Sequence, residues 1–169
     1  MSRAEPVSDH VKVEDDLNAT VLLILLPFLA ALLSPILVRF MGEKAAWILA
    51  LAPAAIFVHL FGFVPEVAKG EVFTMGYSWV PSLGANLSFY IDGLSLTFGL
   101  LITGIGTLII LYAGGYLKGH KHQGRFIGFL FLFMGAMLGV VLADNLIALF
   151  IYWELTSITS FLLIGFDHN

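Results

Sequence analysis

Five long stretches of apolar residues dominate the sequence, and each has the length of a membrane-spanning helix. They lie at about 19–38, 45–64, 94–117, 126–143 and 146–166. A helix needs roughly 20 residues to cross the hydrocarbon core of a bilayer, which is about 30 Å thick. Lipid supplies no hydrogen bonds to a backbone, and a helix satisfies its own. We therefore predict an all-α integral membrane protein with about five transmembrane helices.

The composition agrees with this fold class. Hydrophobic residues make up 59% of the chain and charged residues only 12%, whereas soluble domains have about 25% charged residues. The few charges cluster between the apolar stretches. The absence of cysteine excludes a disulfide scaffold, thiolate-held clusters and thiol chemistry.

Residues 1–17 form a polar, acidic N-terminal arm, and 18–169 form the transmembrane region. We expect the arm to be flexible. Its negative charge is the opposite of what a signal peptide requires. The net charge of −4 also argues against nucleic acid as a partner. The acidic residues of the arm are Glu5, Asp9, Glu14, Asp15 and Asp16.

The fourth and fifth stretches are separated only by Asp144 and Asn145. A single helix through both would be roughly 60 Å long, twice the thickness of the hydrocarbon core. Asp and Asn favour turns and helix N-caps. Two helices joined by a tight turn are therefore predicted.

The connection at 65–92 is the one long loop in the sequence. Its two halves are rich in β-branched and aromatic residues, and turn-forming residues separate them at 81–86. This pattern predicts an extracellular, interfacial β-hairpin between the second and third helices, with Trp79 and Tyr90 near the lipid headgroups. Asp92 is predicted to cap the third helix.

Basic residues near the ends of the spans predict the orientation. Cytoplasmic loops carry an excess of Lys and Arg. The first and third loops share one side, which we expect to be cytoplasmic, so that the N-terminus and the hairpin lie outside. That side holds Arg39, Lys44, Lys118, Lys121 and Arg125, and the other holds Lys69 with Arg3 and Lys12 of the arm.

Glu154 is the ionisable residue that lies deep in the last three spans. If the fifth span starts near Asp144, Glu154 lies roughly 15 Å further along, at the bilayer midplane. A charge there costs about 2.5–3.5 kcal/mol on insertion scales, and such residues usually face a protein interior or a wet cavity and mark an ion path. The alternative is a protonated carboxyl with a structural hydrogen bond.

Ser157, Ser160 and Thr156 lie about 60°, 120° and 160° from Glu154 in the same direction around the predicted helix, so Glu154 sits at the edge of a polar arc. Their hydroxyls can satisfy a carboxyl in either protonation state. This supports a role in proton transfer, although small hydroxyl residues also help helices to pack.

Two further features lie in other spans. His59 in the second span is either a proton relay or a packed, hydrogen-bonded residue. Gly128, Gly135 and Gly139 follow the small-residue spacing that lets helices approach closely. The sequence has no nucleotide-binding loop, nucleophile motif or metal-ligand set, so no cofactor and no metal are expected.

Several segments resemble one family of membrane proteins. Trp79–Gly84 and Phe89–Ser95 resemble the hairpin and third-span entry of the antiporter-like subunits shared by complex I and Mrp antiporters. Met134–Val141 and Asp144–Leu146 resemble the same subunits. Trp153–Phe166 is the sharpest match, and its sequence is similar to the large A-type subunit of Mrp-type Na⁺/H⁺ antiporters.

This resemblance implies a component of a multisubunit Na⁺/H⁺ antiporter, a secondary transporter rather than an enzyme, in the cell membrane and active in pH homeostasis. Its partners would be Na⁺, H⁺, the lipid bilayer and other antiporter subunits. In the family, the glutamate matching Glu154 takes part in proton transfer with a lysine two spans later. Because the sequence stops after the fifth span, the resemblance implies either an N-terminal fragment or a truncated gene product, without the C-terminal remainder of the subunit.

Two alternatives remain open at this stage. One is a proton-pumping subunit of a complex I-type NADH:quinone oxidoreductase, in which electron transfer elsewhere would drive the same carboxyl. The other is a non-transporting membrane scaffold, in which Glu154 only helps the helices to pack.

Overall fold

The structure, a computed structural model, describes residues 7–42, 44–80 and 85–166. Within them, long helices carry the apolar stretches, and a two-stranded hairpin lies between the second and the third of these helices. The elements are α1 (Val7–Met41), α2 (Lys44–Phe61), α3 (Val64–Val67), β1 (Phe73–Val80), β2 (Ala85–Ile91), α4 (Gly93–Tyr116), α5 (Gln123–Leu142) and α6 (Leu146–Ile164).

Five helices in the described part of the chain are long and apolar enough to cross a membrane. The all-α membrane prediction is therefore confirmed, and so is the presence of the hairpin. The chain is a multi-pass membrane protein.

The N-terminal arm differs from its prediction. α1 begins at Val7 and includes Pro27 and Pro35 within it, so the helix extends through most of the segment that we expected to be flexible. Once a helix has nucleated in the apolar stretch, adding further residues is much easier than starting a new helix. The apolar part of α1 is Ile24–Met41.

The turn between α5 and α6 confirms two separate helices. α5 ends at Leu142, and Asn145 caps α6 with its side-chain oxygen, which accepts from the Ala148 N–H at 2.8 Å. This cap satisfies one of the backbone donors that the first turn of a helix leaves without a partner.

The hairpin is antiparallel, with Phe73 opposite Ile91 and Met75 opposite Phe89. Phe89 and Ile91 are buried, so β2 is anchored on the helices. The turn at 81–84 and the side chain of Trp79 lie outside the described residues, and the interfacial position of Trp79 stays a prediction.

Asp92 caps α4, as its position in the sequence predicts. Its carboxylate accepts from the Ser95 N–H at 2.8 Å, and the Asp92 N–H donates to the Ser95 hydroxyl at 2.8 Å. This reciprocal pair is a capping box. The hydrogen bond from the Ser95 backbone holds the pKa of Asp92 below its ordinary value, because it favours the charged form.

α5 lies at the centre of the helix assembly and packs against α1, α4 and α6. Half of the residues in the apolar part of α5 are buried, compared with 11% of those in the apolar part of α6. Close approach to α5 depends on glycines. A Cβ at Gly128 would lie 2.8 Å from the Ser34 hydroxyl, one at Gly135 would lie 2.8 Å from the ring of Phe28, and Gly139 lies against the ring of Tyr152.

Candidate functional site

Glu154 lies midway along α6. Its side chain is exposed, as are those of its neighbours Trp153 and Ser157. Since α6 packs mainly against α5, Glu154 lies on a face of α6 that the other described helices leave uncovered. The expected inward position is therefore not found within this part of the chain. Apolar residues occur around most of α6, so its sequence has little periodicity from which the buried face could be predicted.

None of the hydroxyls of the predicted polar arc hydrogen-bonds to Glu154 in the described part of the chain. The Thr156 hydroxyl donates to the Trp153 carbonyl at 2.6 Å. Ser157 is exposed and Ser160 is partly buried. Within the described residues, no side chain hydrogen-bonds to the carboxyl of Glu154.

Thr159 is the polar residue of α6 that sequence reasoning missed. It is 1% exposed, and its hydroxyl donates to the carbonyls of Leu155 at 2.8 Å and Thr156 at 3.1 Å. It lies five positions after Glu154, which places the two side chains about 140° apart around the helix. The packed side of α6 thus carries a self-satisfied threonine, and the uncovered side carries the carboxyl.

His59 lies in the last turn of α2 and is partly buried. Its Nε2 shares a hydrogen bond of 2.8 Å with Oγ1 of Thr20 on α1. Its ring meets the ring of Phe63 edge to face, with centroids 5.4 Å apart. α2 packs on α1 and α4, whereas α6 packs mainly on α5, so the fold does not bring His59 and Glu154 together.

Asp144 is exposed in the turn before α6, and its backbone N–H donates to the Ser88 carbonyl at 3.0 Å. It therefore lies just before the start of α6, ten positions before Glu154. The described residues contain no group of three or more His, Cys, Asp or Glu side chains that could hold a metal ion.

A family model matches residues 78–127, which cover the end of β1, all of β2 and α4, and the start of α5. Its description is NADH-ubiquinone oxidoreductase (complex I), chain 5 N-terminus. The match coincides with the segment that holds the capped entry to α4.

Similar proteins extend the comparison over nearly the whole chain. The A1 subunit of the Na⁺/H⁺ antiporter of Staphylococcus haemolyticus is 46% identical over 85% of this chain, and that of Staphylococcus aureus is 45% identical over the same share. The chain spans only 18% of the length of these relatives.

Two solved structures share the fold. The Mrp complex from Dietzia sp. aligns with a TM-score of 0.69 at 32% identity and covers 88% of this chain and 16% of that one. The membrane-bound sulfane sulfur reductase, an archaeal respiratory complex, also aligns with a TM-score of 0.69, at 22% identity over 87% of this chain and 23% of that one. The second likeness shows the fold alone. Taken with the relatives, these findings show that the chain belongs to the family of the A-type subunits of Mrp-type Na⁺/H⁺ antiporters and corresponds to the N-terminal portion of such a protein.

Proposed function

We propose that the chain acts as part of a Na⁺/H⁺ antiporter in which Glu154 takes part in proton transfer. The observation that carries this proposal is the place of the carboxyl, midway along α6 and on a side that the other described helices leave uncovered. The identity with antiporter subunits supports the transporter class.

Glu154 lies in a membrane-spanning helix, and a charge inside the hydrocarbon core is costly unless it has a partner. An ionisable side chain at the bilayer midplane almost always faces protein or water and pairs with another polar group. The exposed side of α6 is therefore the surface on which a further helix with a basic side chain would pack. In low dielectric, a carboxylate and an ammonium group are strongly coupled, so moving or discharging one changes the pKa of the other. That coupling lets Glu154 bind and release a proton during exchange.

The same proposal includes the setting of the chain. Na⁺ and H⁺ would be the exchanged ions, other antiporter subunits would be partners, and the plasma membrane would be the location. Arg39, Lys118, Lys121 and Arg125 would lie on the cytoplasmic side, which places the hairpin and the N-terminus outside.

A second candidate is a proton-pumping subunit of a complex I-type enzyme. The matched family model favours it, since that model describes a complex I chain. The same carboxyl would serve there, but electron transfer in other subunits would drive it. The identity of 45–46% with antiporter subunits makes antiport the better-supported function.

The proposal is tested by substituting Glu154 in the complete antiporter complex. Gln keeps similar shape and hydrogen-bonding capacity but never ionises. We expect Glu154→Gln to reduce sodium-dependent proton movement in vesicles to background, and Glu154→Asp to retain part of it. Asp144→Asn is the matched control, because it neutralises an acidic residue that water can reach, and it should retain most of the exchange.

Subunit levels have to be measured by immunoblot in the same vesicles. Near-normal exchange by Glu154→Gln at normal subunit levels would contradict the proton-transfer role and favour a scaffold. Sodium-independent proton pumping that requires an electron donor would favour the complex I-type alternative.

A further inference from the structure

A basic cavity lies at the end of the helix assembly opposite the hairpin. It has a volume of about 600 Å³ and is bounded by the end of α1, the connection between α4 and α5, and the first turn of α5. Two lysines and two arginines line it, and this cluster is separate from Glu154. They are Arg39, Lys118, Lys121 and Arg125.

The net charge of the cavity is positive whether or not neighbouring acidic residues are included. The described residues that line it include no carboxylate. Two acidic residues, Glu43 and Asp167, are close in sequence to lining or neighbouring residues but lie outside the described part of the chain. Even if both faced the cavity, four basic side chains would exceed two carboxylates.

The backbone adds to this field. α5 begins at Gln123, and its first-turn residues Gln123, Gly124 and Arg125 line the cavity. The first turn of a helix presents N–H groups and the positive end of the helix dipole, which attract anions. The buried Gln123 amide donates to the Gly114 carbonyl at 2.9 Å and so fixes the start of α5 against α4.

Two exposed apolar side chains of α1 are sequence neighbours of residues that line the cavity. They are Ile36 and Phe40, which are 53% and 81% exposed. The guanidinium of Arg125 lies 5.8 Å from the centroid of the Phe129 ring, so its charged end and an aromatic surface are presented together. A free anion needs only the basic cavity, whereas a lipid uses both the cavity for its phosphate and the apolar surface for its acyl chains.

We infer that this cavity binds the phosphate headgroup of an anionic phospholipid, with the acyl chains along the apolar surface of α1. All the bounding elements end here, which places the cavity at the level of the headgroups. Basic pockets between transmembrane helices hold anionic headgroups in this way. The inference does not depend on the role of Glu154.

The test measures lipid binding by the purified chain. Native mass spectrometry in neutral detergent would compare retention of phosphatidylglycerol and phosphatidylcholine of the same chain length. The test variant is Arg39→Gln with Lys121→Gln. The control is Lys44→Gln with Lys69→Gln, which removes the same charge from exposed residues that do not line the cavity.

We expect the unmodified chain and the control to prefer phosphatidylglycerol, and the test variant to bind it about tenfold or more weakly, since each basic group near anionic lipid contributes roughly fivefold. Equal affinity for the two lipids in the unmodified chain would overturn the inference. Equal losses in both variants would also overturn it, because they would indicate diffuse surface charge.

A competition experiment separates a lipid from a free anion. Inorganic phosphate at about 10 mM screens the charges of the cavity only weakly, so the cavity can still attract a free anion. This phosphate should leave bound phosphatidylglycerol in place, because phosphate cannot use the apolar surface. Displacement of the lipid by phosphate at that concentration would assign the cavity to a free anion instead.

Discussion

The side-chain amide of Asn145 donates to the hydroxyl of Ser88, with 2.8 Å between Nδ2 and Oγ. Asn145 caps the helix that carries Glu154, and Ser88 belongs to the hairpin strand β2. The Asp144 N–H donates to the carbonyl of the same serine at 3.0 Å. The hairpin therefore fixes the start of α6, and with it the depth of Glu154.

Two substitutions separate the cap from this connection. Asn145→Ala removes both the N-cap and the bond to Ser88, whereas Ser88→Ala removes only the bond. Loss of an N-cap costs about 0.5–2 kcal/mol, so Asn145→Ala should lower the free energy of unfolding more than Ser88→Ala does. Thermal unfolding of the purified chain in detergent measures both. Equal effects would mean that the cap contributes nothing here.

The glycines of α5 allow a matched test of close packing. A Cβ at Gly128 would lie 2.8 Å from the Ser34 hydroxyl and 3.0 Å from the Ala31 carbonyl oxygen. Because a backbone oxygen cannot rotate away, Gly128→Ala should destabilise the chain by about 1–3 kcal/mol, the usual cost of overpacking.

Gly115 in α4 is the control for that substitution. A Cβ there meets nothing within 4 Å, and Ala is a better helix former than Gly by about 1 kcal/mol. Gly115→Ala should therefore be neutral or slightly stabilising in the same thermal assay. If Gly128→Ala were equally harmless, the contact between α1 and α5 would be looser than the structure indicates.

Much of the fold could be predicted because the bilayer restricts the choices. The length of each apolar stretch fixed the number of helices. Asp92 and Asn145 marked helix starts, because a short polar side chain before an apolar stretch is a cap signal. The hairpin was predictable from its β-branched and aromatic residues and its turn.

The sequence did not predict on which side of α6, relative to the other helices, Glu154 lies. In a soluble helix, polar residues show which side meets water, but in a membrane helix the lipid and the protein interior are both apolar. Thr159 was overlooked for the same reason, since its hydroxyl bonds to its own helix and leaves no pattern. The basic cavity was also missed, because it depends on how separate loops meet at the ends of the helices.

Orientation can be tested with single cysteines, since the chain has none. Lys121 and Lys69 are both exposed and lie at opposite ends of the helix assembly. With the basic side in the cytoplasm, a membrane-impermeant maleimide should label Lys69→Cys in intact cells, and Lys121→Cys only after permeabilisation. The reverse labelling pattern would invert the proposed topology.

The hydrogen bond between Thr20 and His59 joins α1 to α2. Substitutions of these two residues can separate a structural role of His59 from a role as a proton relay. Nε2 is engaged by Thr20, the ring lies against Phe63, and α2 packs on α1 and α4, so we expect the role to be structural. Thr20→Val should lower the free energy of unfolding by roughly 0.5–1.5 kcal/mol, the range for hydrogen bonds between membrane helices.

His59→Gln can keep a bond to Thr20 but cannot carry a proton as an imidazole does. In the complete complex it should retain exchange within about twofold between about pH 6 and 8. His59→Leu, which cannot form the bond, should match Thr20→Val in stability. Loss of exchange in His59→Gln at normal subunit levels and unchanged thermal stability would contradict this prediction and assign His59 to a proton relay.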